Sequence, residues 1–127
     1  MREIKFRAWD FSTNNFVSWE KLVIDSQCDF YDFSLFSNID YILMQYTGLK
    51  DKSGVEIYEH DLIIATRNSL SQKKRVVKYD INRGAYFVVS NSLKETEWDD
   101  CLTKNQIKTF GYKVIGNIYE NPELLNE

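Results

Sequence analysis

Met44-Gln-Tyr-Thr-Gly-Leu-Lys-Asp-Lys-Ser-Gly-Val-Glu-Ile-Tyr-Glu-His-Asp61 is the most constrained stretch of this chain, and its reading decides the fold. Tyr41 to Thr47 places Ile42, Met44 and Tyr46 on one face and Leu43, Gln45 and Thr47 on the other. That period of two predicts a central β-strand, released at Gly48. Asp51-Lys-Ser-Gly54 matches a type I turn closed by glycine in the left-handed region, the usual grammar of a short hairpin loop. Val55, Ile57 and Tyr58 then return. The stretch ends on a polar corner, Glu59-His60-Asp61, which with Glu56 crowds four ionisable side chains into six residues. Such a group could bind a divalent ion or exchange protons. It is also what a solvated turn looks like when its aspartate ties down backbone amides, and that reading is favoured because it needs no further residues.

Working outward, Ile4, Phe6 and Ala8 alternate with Lys5, Arg7 and Trp9, which predicts a strand starting almost at the first residue. Asp10-Phe-Ser-Thr-Asn-Asn15 supplies turn chemistry and Phe16-Val-Ser-Trp19 reads as the returning strand, giving a hairpin over Ile4 to Trp19. Lys21-Leu-Val-Ile24 fits a further strand. Phe30, Phe33 and Phe36 recur every third residue, which fits one or two helical turns or an aromatic loop packed on a sheet. Either way, core or interface is a better reading than a cofactor-binding box.

Beyond the opening stretch, Leu62 to Thr66 reads as a strand and Arg67-Asn-Ser-Leu-Ser-Gln-Lys-Lys74 as a surface loop. Val76 to Asp80, the turn Ile81-Asn-Arg-Gly84 and Ala85 to Val89 form a second hairpin closed by glycine. Thr96 to Trp98 fits a short strand, and Lys113 to Tyr119 is the last one. Gly116 within it predicts a bulge or a close backbone approach. Asn121-Pro-Glu-Leu-Leu125, with proline behind an asparagine cap, predicts a single helical turn.

A chain of 127 residues suits one domain, or two small β lobes over about 1–45 and 46–127 sharing one core. Aromatic content of 15% with a lone proline favours strands. The expected class is mainly β, all-β or a β-rich α+β fold. Its second half would be a small, strongly bent antiparallel sheet or SH3-like barrel, preceded by an N-terminal β-hairpin lobe. Cys28 and Cys101 are isolated, and the start shows no secretory pattern, so reduced thiols and a cytoplasmic location are expected. The longest apolar runs are too short to cross a bilayer as helices.

Three blocks carry more than periodicity: Arg2-Glu-Ile-Lys-Phe-Arg-Ala-Trp-Asp10, Leu43 to Asp61, and Val114-Ile-Gly-Asn-Ile-Tyr-Glu-Asn-Pro-Glu-Leu-Leu125. Together, in this order and over nearly the whole chain, they resemble the YopX family of phage and prophage proteins. The resemblance implies a small, mainly β protein carried by a bacteriophage or prophage in a bacterial host, with no established activity to transfer. The motif positions it marks are Trp9, Tyr46, Gly48, Gly54, Ile57, Tyr58, Glu59, Asp61, Gly116, Asn117 and Tyr119. One departure stands out. The family pattern has Tyr-Glu-Gly-Asp where this chain has Tyr58-Glu-His-Asp61, so His60 must accept a positive-φ turn at a cost of about 1 to 2 kcal/mol or shift the backbone.

Little in the sequence points to catalysis. His60 is the sole histidine, the cysteines lack zinc spacing, and no glycine-rich phosphate loop or Gly-x-Ser-x-Gly motif occurs. No cofactor or metal is expected. Net charge is -3, yet Arg67 to Arg83 holds six cations against Asp80 alone. With Tyr79, Tyr86 and Phe87 interleaved, Lys73, Lys74, Arg75, Lys78 and Arg83 could contact nucleic acid, though a pI near 5.2 argues for a solvated face. The leading expectation is a non-enzymatic accessory protein acting by protein contact, as a homo-oligomer or on a host or phage protein. The surplus of aromatic residues motivates it, because a chain this size has limited interior to hold them.

Overall fold

The computed structural model describes residues 3–25, 41–67, 74–90 and 100–126. In chain order they form β1 (Phe6–Asp10), β2 (Asn15–Val17), α1 (Trp19–Asp25), β3 (Tyr41–Lys50), β4 (Glu56–Tyr58), β5 (Asp61–Ala65), β6 (Arg75–Asp80), β7 (Ala85–Ser90), β8 (Asp100–Cys101), α2 (Lys104–Phe110), β9 (Tyr112–Asn117) and a 3-10 turn (Pro122–Asn126). The fold is mainly β, as the alternation implies. The strands lie in two antiparallel sheets, ordered β2-β1-β3-β4 and β8-β7-β6-β5-β9, and one of them is a strongly curled half-barrel. The chain divides into two compact units, Met1–Tyr46 and Thr47–Glu127. The Phe30 to Phe36 run, the 67–74 loop beyond Arg67 and the Thr96 to Trp98 strand lie outside the described residues, apart from Lys74.

In the first unit β1 pairs with β2 on one side and β3 on the other, with Ala8 opposite both Val17 and Leu43. Trp9 faces Phe16 across the ladder, and the rings meet edge to face at 4.9 Å, a favoured cross-strand pair. The hairpin turns on Asp10, whose carboxylate accepts the Ser12 N–H (2.8 Å) and hydroxyl (2.6 Å) while Asn14 takes φ 55. Those bonds, led by the Ser12 hydroxyl, hold the Asp10 carboxyl below its usual range.

The strand expected at Lys21 to Ile24 is instead part of α1, and Trp19 opens that helix rather than closing the hairpin. The reason lies one residue upstream. Ser18 caps the helix, its hydroxyl accepting the Lys21 N–H (3.3 Å) and its carbonyl the Leu22 N–H (2.9 Å). A satisfied N-terminus outweighs the modest strand preference of Leu-Val-Ile. Gly48 likewise does not release β3, which runs on to Lys50 with Gly48 at φ 84 inside it. Thr47 bridges the irregularity: its hydroxyl donates to the Ile57 carbonyl (2.7 Å) and accepts the Leu49 N–H (3.2 Å).

The second unit is built around Ile57, Ile63, Val77, Val88, Ile107 and Tyr112, all buried. β6 and β7 are a six-pair hairpin from Arg75 opposite Ser90 to Asp80 opposite Ala85. β5 joins them to β9, where Leu62 pairs with Gly116 but Ile63 with Val114, leaving Ile115 as the extra residue of a bulge. Gly116 also meets the close approach expected of it: a Cβ there would lie 2.5 Å from Asn121 Oδ1. α2 was not legible from apolar periodicity, yet its caps are in the sequence. The Thr103 hydroxyl accepts the Gln106 N–H (3.1 Å), and Gly111 closes the helix at φ 62 with its N–H on the Ile107 carbonyl.

Burial pushes the Tyr112 phenol above its ordinary 10.0, with a further rise from Asp100 and an opposing pull from Arg75. Below that value both folded and unfolded chains keep the proton. Above it the unfolded chain releases first, so folding stability falls as pH rises, by up to about 1.4 kcal/mol per pH unit for each such tyrosine. Thermal melts between pH 8 and 11 are expected to show this loss, and Tyr112→Phe to shallow it. Equal slopes for the two proteins would refute the assignment.

Candidate functional site

The corner after β4 comes together from three segments. Asp61, 2% exposed, accepts the Tyr58 N–H on Oδ2 (2.8 Å) and the Asn117 side-chain amide on Oδ1 (3.3 Å). Asn117 in turn accepts the Tyr119 N–H (2.9 Å), and its own N–H donates to Asn121 Oδ1 (3.2 Å). His60 sits between them at φ 69, so it does adopt the left-handed conformation. Its N–H donates to the Val77 carbonyl (2.8 Å), its carbonyl accepts the Ile118 N–H (3.1 Å), and its ring meets Tyr119 edge to face at 5.4 Å. The Tyr119 phenol is pushed up, first by burial and then by the charge of Glu59.

Asp61 is thus engaged on both oxygens and closed to solvent, which is the behaviour of a turn anchor. Among the described residues no three His, Cys, Asp or Glu side chains gather as a metal site. Sequence reading missed a second carboxylate of the same kind. Asp51, 6% exposed, accepts the Ser53 and Val55 N–H groups on Oδ1 (2.8 and 2.9 Å) and the Val114 N–H on Oδ2 (2.9 Å). Its turn role is visible in Asp-Lys-Ser-Gly; the reach to residue 114 is not, because only the tertiary fold brings β9 there.

The other motif positions are distributed through the fold. Trp9 and Tyr46 are buried in the first unit, the latter beneath the Lys5 ammonium (5.0 Å). Gly54 closes its turn at φ 85, Ile57 is wholly buried, and Glu59 is half-buried at the corner.

The basic segment is organised differently from its sequence. Lys73 lies outside the described residues and Lys74 is half-buried. Arg75 donates to Asp100 Oδ2 at 2.7 Å, and Arg83 is paired with Asp80 while its guanidinium lies 3.8 Å over the Phe87 ring. Those bonds, the Arg83 side chain first, hold the Asp80 carboxyl below its usual range. Lys78 is exposed and makes no ion pair among the described residues. By the β6–β7 register, Lys78 and Phe87 share one face whereas Tyr79 and Tyr86 share the other. Phe87 is buried, with Arg83 over its ring. Beside them is a shallow cleft of about 360 Å³ lined by Lys78, Tyr79, Asp80, Ile81, Arg83, Phe87 and Val89. Ile81, at the hairpin tip, is 84% exposed.

A sequence profile described as YopX protein matches residues 5–126. The structure is similar to the crystal structure of protein EF1440 from Enterococcus faecalis, with a TM-score of 0.65, 27% identity, and coverage of 98% of this chain and 99% of that one. No curated protein matches the chain. Among the described residues no helix is long and apolar enough to cross a membrane.

Asp61→Ala leaves the Tyr58 N–H and the Asn117 amide buried without their acceptor and is expected to destabilise the protein by about 2 to 4 kcal/mol in urea unfolding. His60→Gly relieves the left-handed strain and is expected to gain up to about 1 kcal/mol, less whatever the Tyr119 contact contributes, while His60→Ala loses the contact and keeps the strain. A midpoint for His60→Gly no higher than that of His60→Ala would rule out strain at this position.

Proposed function

The chain belongs to the YopX family, and from that premise we propose that it is a non-enzymatic accessory protein of a bacteriophage or prophage, acting in the bacterial cytoplasm by protein contact and self-assembly. The phage setting is what the family resemblance implies, and the likeness to a protein from the bacterium Enterococcus faecalis accords with a bacterial host.

The contact reading is carried by Ile81. Three turns among the described residues begin with an aspartate whose carboxylate accepts the N–H two residues on: Asp10, Asp51 and Asp80. In each, the residue after the aspartate points outward: Phe11, Lys52 and Ile81, of which Phe11 is 45% and Ile81 84% exposed. Lys52 shows that the turn itself asks for nothing apolar there. An isoleucine held almost wholly in water next to an apolar-floored cleft is therefore not explained by folding, whereas burial against protein would recover on the order of 1.5 to 3 kcal/mol per copy. Nucleic-acid binding is less well supported, since Arg75 and Arg83 already hold carboxylates and Phe87 lies beneath Arg83.

Light scattering is the direct test. The expected solution mass is at least twice the 15.1 kDa of one chain, falling toward that value in Ile81→Asp with its secondary structure intact. A monomeric wild type would overturn self-assembly, and a mobility shift with DNA or RNA at low salt would move the reading to the nucleic-acid alternative.

A further inference from the structure

The hairpin of β6 and β7 overhangs the strand beside it. β6 runs from Arg75 to Asp80, but β5 pairs with it only at Arg75 and Val76, and the His60 N–H adds one bond to the Val77 carbonyl. Burial changes at the same place: Val76 and Val77 are buried, Lys78 and Tyr79 exposed. Two bonds fix which way the backbone of the overhang points. The Val77 carbonyl faces the β5 side, where it meets His60, and the Tyr86 carbonyl faces away from β6, where it accepts the Leu102 N–H (2.9 Å). Tyr79 follows Val77 by two residues and is the register partner of Tyr86. Both relations turn the N–H and C=O of Tyr79 outward, along the edge of β6 that β5 does not reach. Among the described residues neither group has a partner there.

An exposed donor and acceptor on one edge residue are a template for a further antiparallel strand. Resting on the self-assembly reading above, we propose that this strand is β6 of a second copy. The two edges pair about a two-fold axis at Tyr79, each Tyr79 N–H donating to the Tyr79 carbonyl of the other copy. The charges on either side of Tyr79 select that partner and that register. With Tyr79 opposite Tyr79, Lys78 of each copy lies opposite Asp80 of the other. Sliding the pairing by two residues is the smallest step that keeps outward-pointing groups opposite each other. It sets Lys78 against Lys78 or Asp80 against Asp80, and like charges directly opposite are destabilising. Arg83 already holds Asp80 within its own turn, so the charge match acts by excluding the wrong registers. Affinity comes from the ladder bonds and, on the other face of the strand, from the rings. Tyr79 and Tyr86 meet edge to face at 5.1 Å in each copy, and the two-fold sets the two Tyr79 side chains next to each other. Ile81, the residue after Asp80, flanks the paired segment at both ends.

Hydrogen exchange on the unmodified protein tests this directly. The Tyr79 amide is expected to exchange at least tenfold more slowly at a concentration where light scattering reads a dimer than at one where it reads a monomer. The Lys78 amide, turned toward β7 in either state, is expected to change by less than threefold. Proline gives an independent arm, because the Tyr79 N–H makes no bond to β7: Tyr79→Ala removes the ring and keeps that N–H, whereas Tyr79→Pro removes both. With circular dichroism unchanged, Tyr79→Pro is expected to raise the dimer dissociation constant at least tenfold above that of Tyr79→Ala. A wild-type dimer whose Tyr79 amide exchanges at the monomer rate assembles by another surface, which overturns this inference and leaves self-assembly standing. A folded Tyr79→Pro that associates as well as Tyr79→Ala does the same. A wild type that is monomeric at every concentration overturns both readings.

Discussion

Two buried carboxylates hold the second unit together on either side of β4. Asp51 precedes β4 and Asp61 follows it. Each accepts backbone N–H groups of its own turn, and each also reaches β9 or its side chains: Asp51 the Val114 N–H, Asp61 the Asn117 amide. A buried anion is costly unless its lone pairs are satisfied, and here backbone and amide donors at fixed positions satisfy them. The short strand between them is thereby stitched at both ends to the five-stranded sheet. Lys52 to the Tyr112 carbonyl and Ile118 to the His60 carbonyl add main-chain bonds alongside. Displacing β9 by one residue would break all four links together.

Features encoded locally are legible in the sequence. Period-two runs located β1, β3, β5, β6 and β7, the Asp-led turns with Asn14, Gly54 or Gly84 in the left-handed region located three hairpins, and Gly116 located a bulge. Where local signals competed, the reading failed. At Lys21 to Ile24 the β-branched residues spoke louder than Ser18, although the cap decided the outcome. α2 is seven residues long, too short for a helical period to stand out, and announced itself only through Thr103 and Gly111.

The candidate site was legible in composition and not in arrangement. The crowding of Glu56, Glu59, His60 and Asp61 is real in sequence, but closure of Asp61 by Asn117 depends on residues 56 positions apart. Similarly, the cations of residues 67–83 look like one basic face on paper. In the fold Arg75 turns to Asp100 and Arg83 to Asp80, because strand alternation and the hairpin turn place carboxylates within their reach. Net charge along a segment counts cations; it does not say which of them are already occupied. The exposure of Ile81 has the opposite character. It follows from position within an Asp-led turn and could have been read from the likeness of Asp10-Phe11 and Asp80-Ile81.

The bond from Asp51 to Val114 spans 63 residues, and it has a consequence for synthesis. As the chain leaves the ribosome, β3 through β7 can pair among themselves, but Asp51 and Asp61 have only their own turns to bond until residues 112–121 emerge. Until then, closing the second unit would mean burying two carboxylates with incomplete partners, a cost that disfavours closure along the edge of β5. Hydrophobic pairing can thus bring the earlier strands together, but polar satisfaction of both carboxylates waits on β9, so completion of this unit follows the synthesis of residues 112–121.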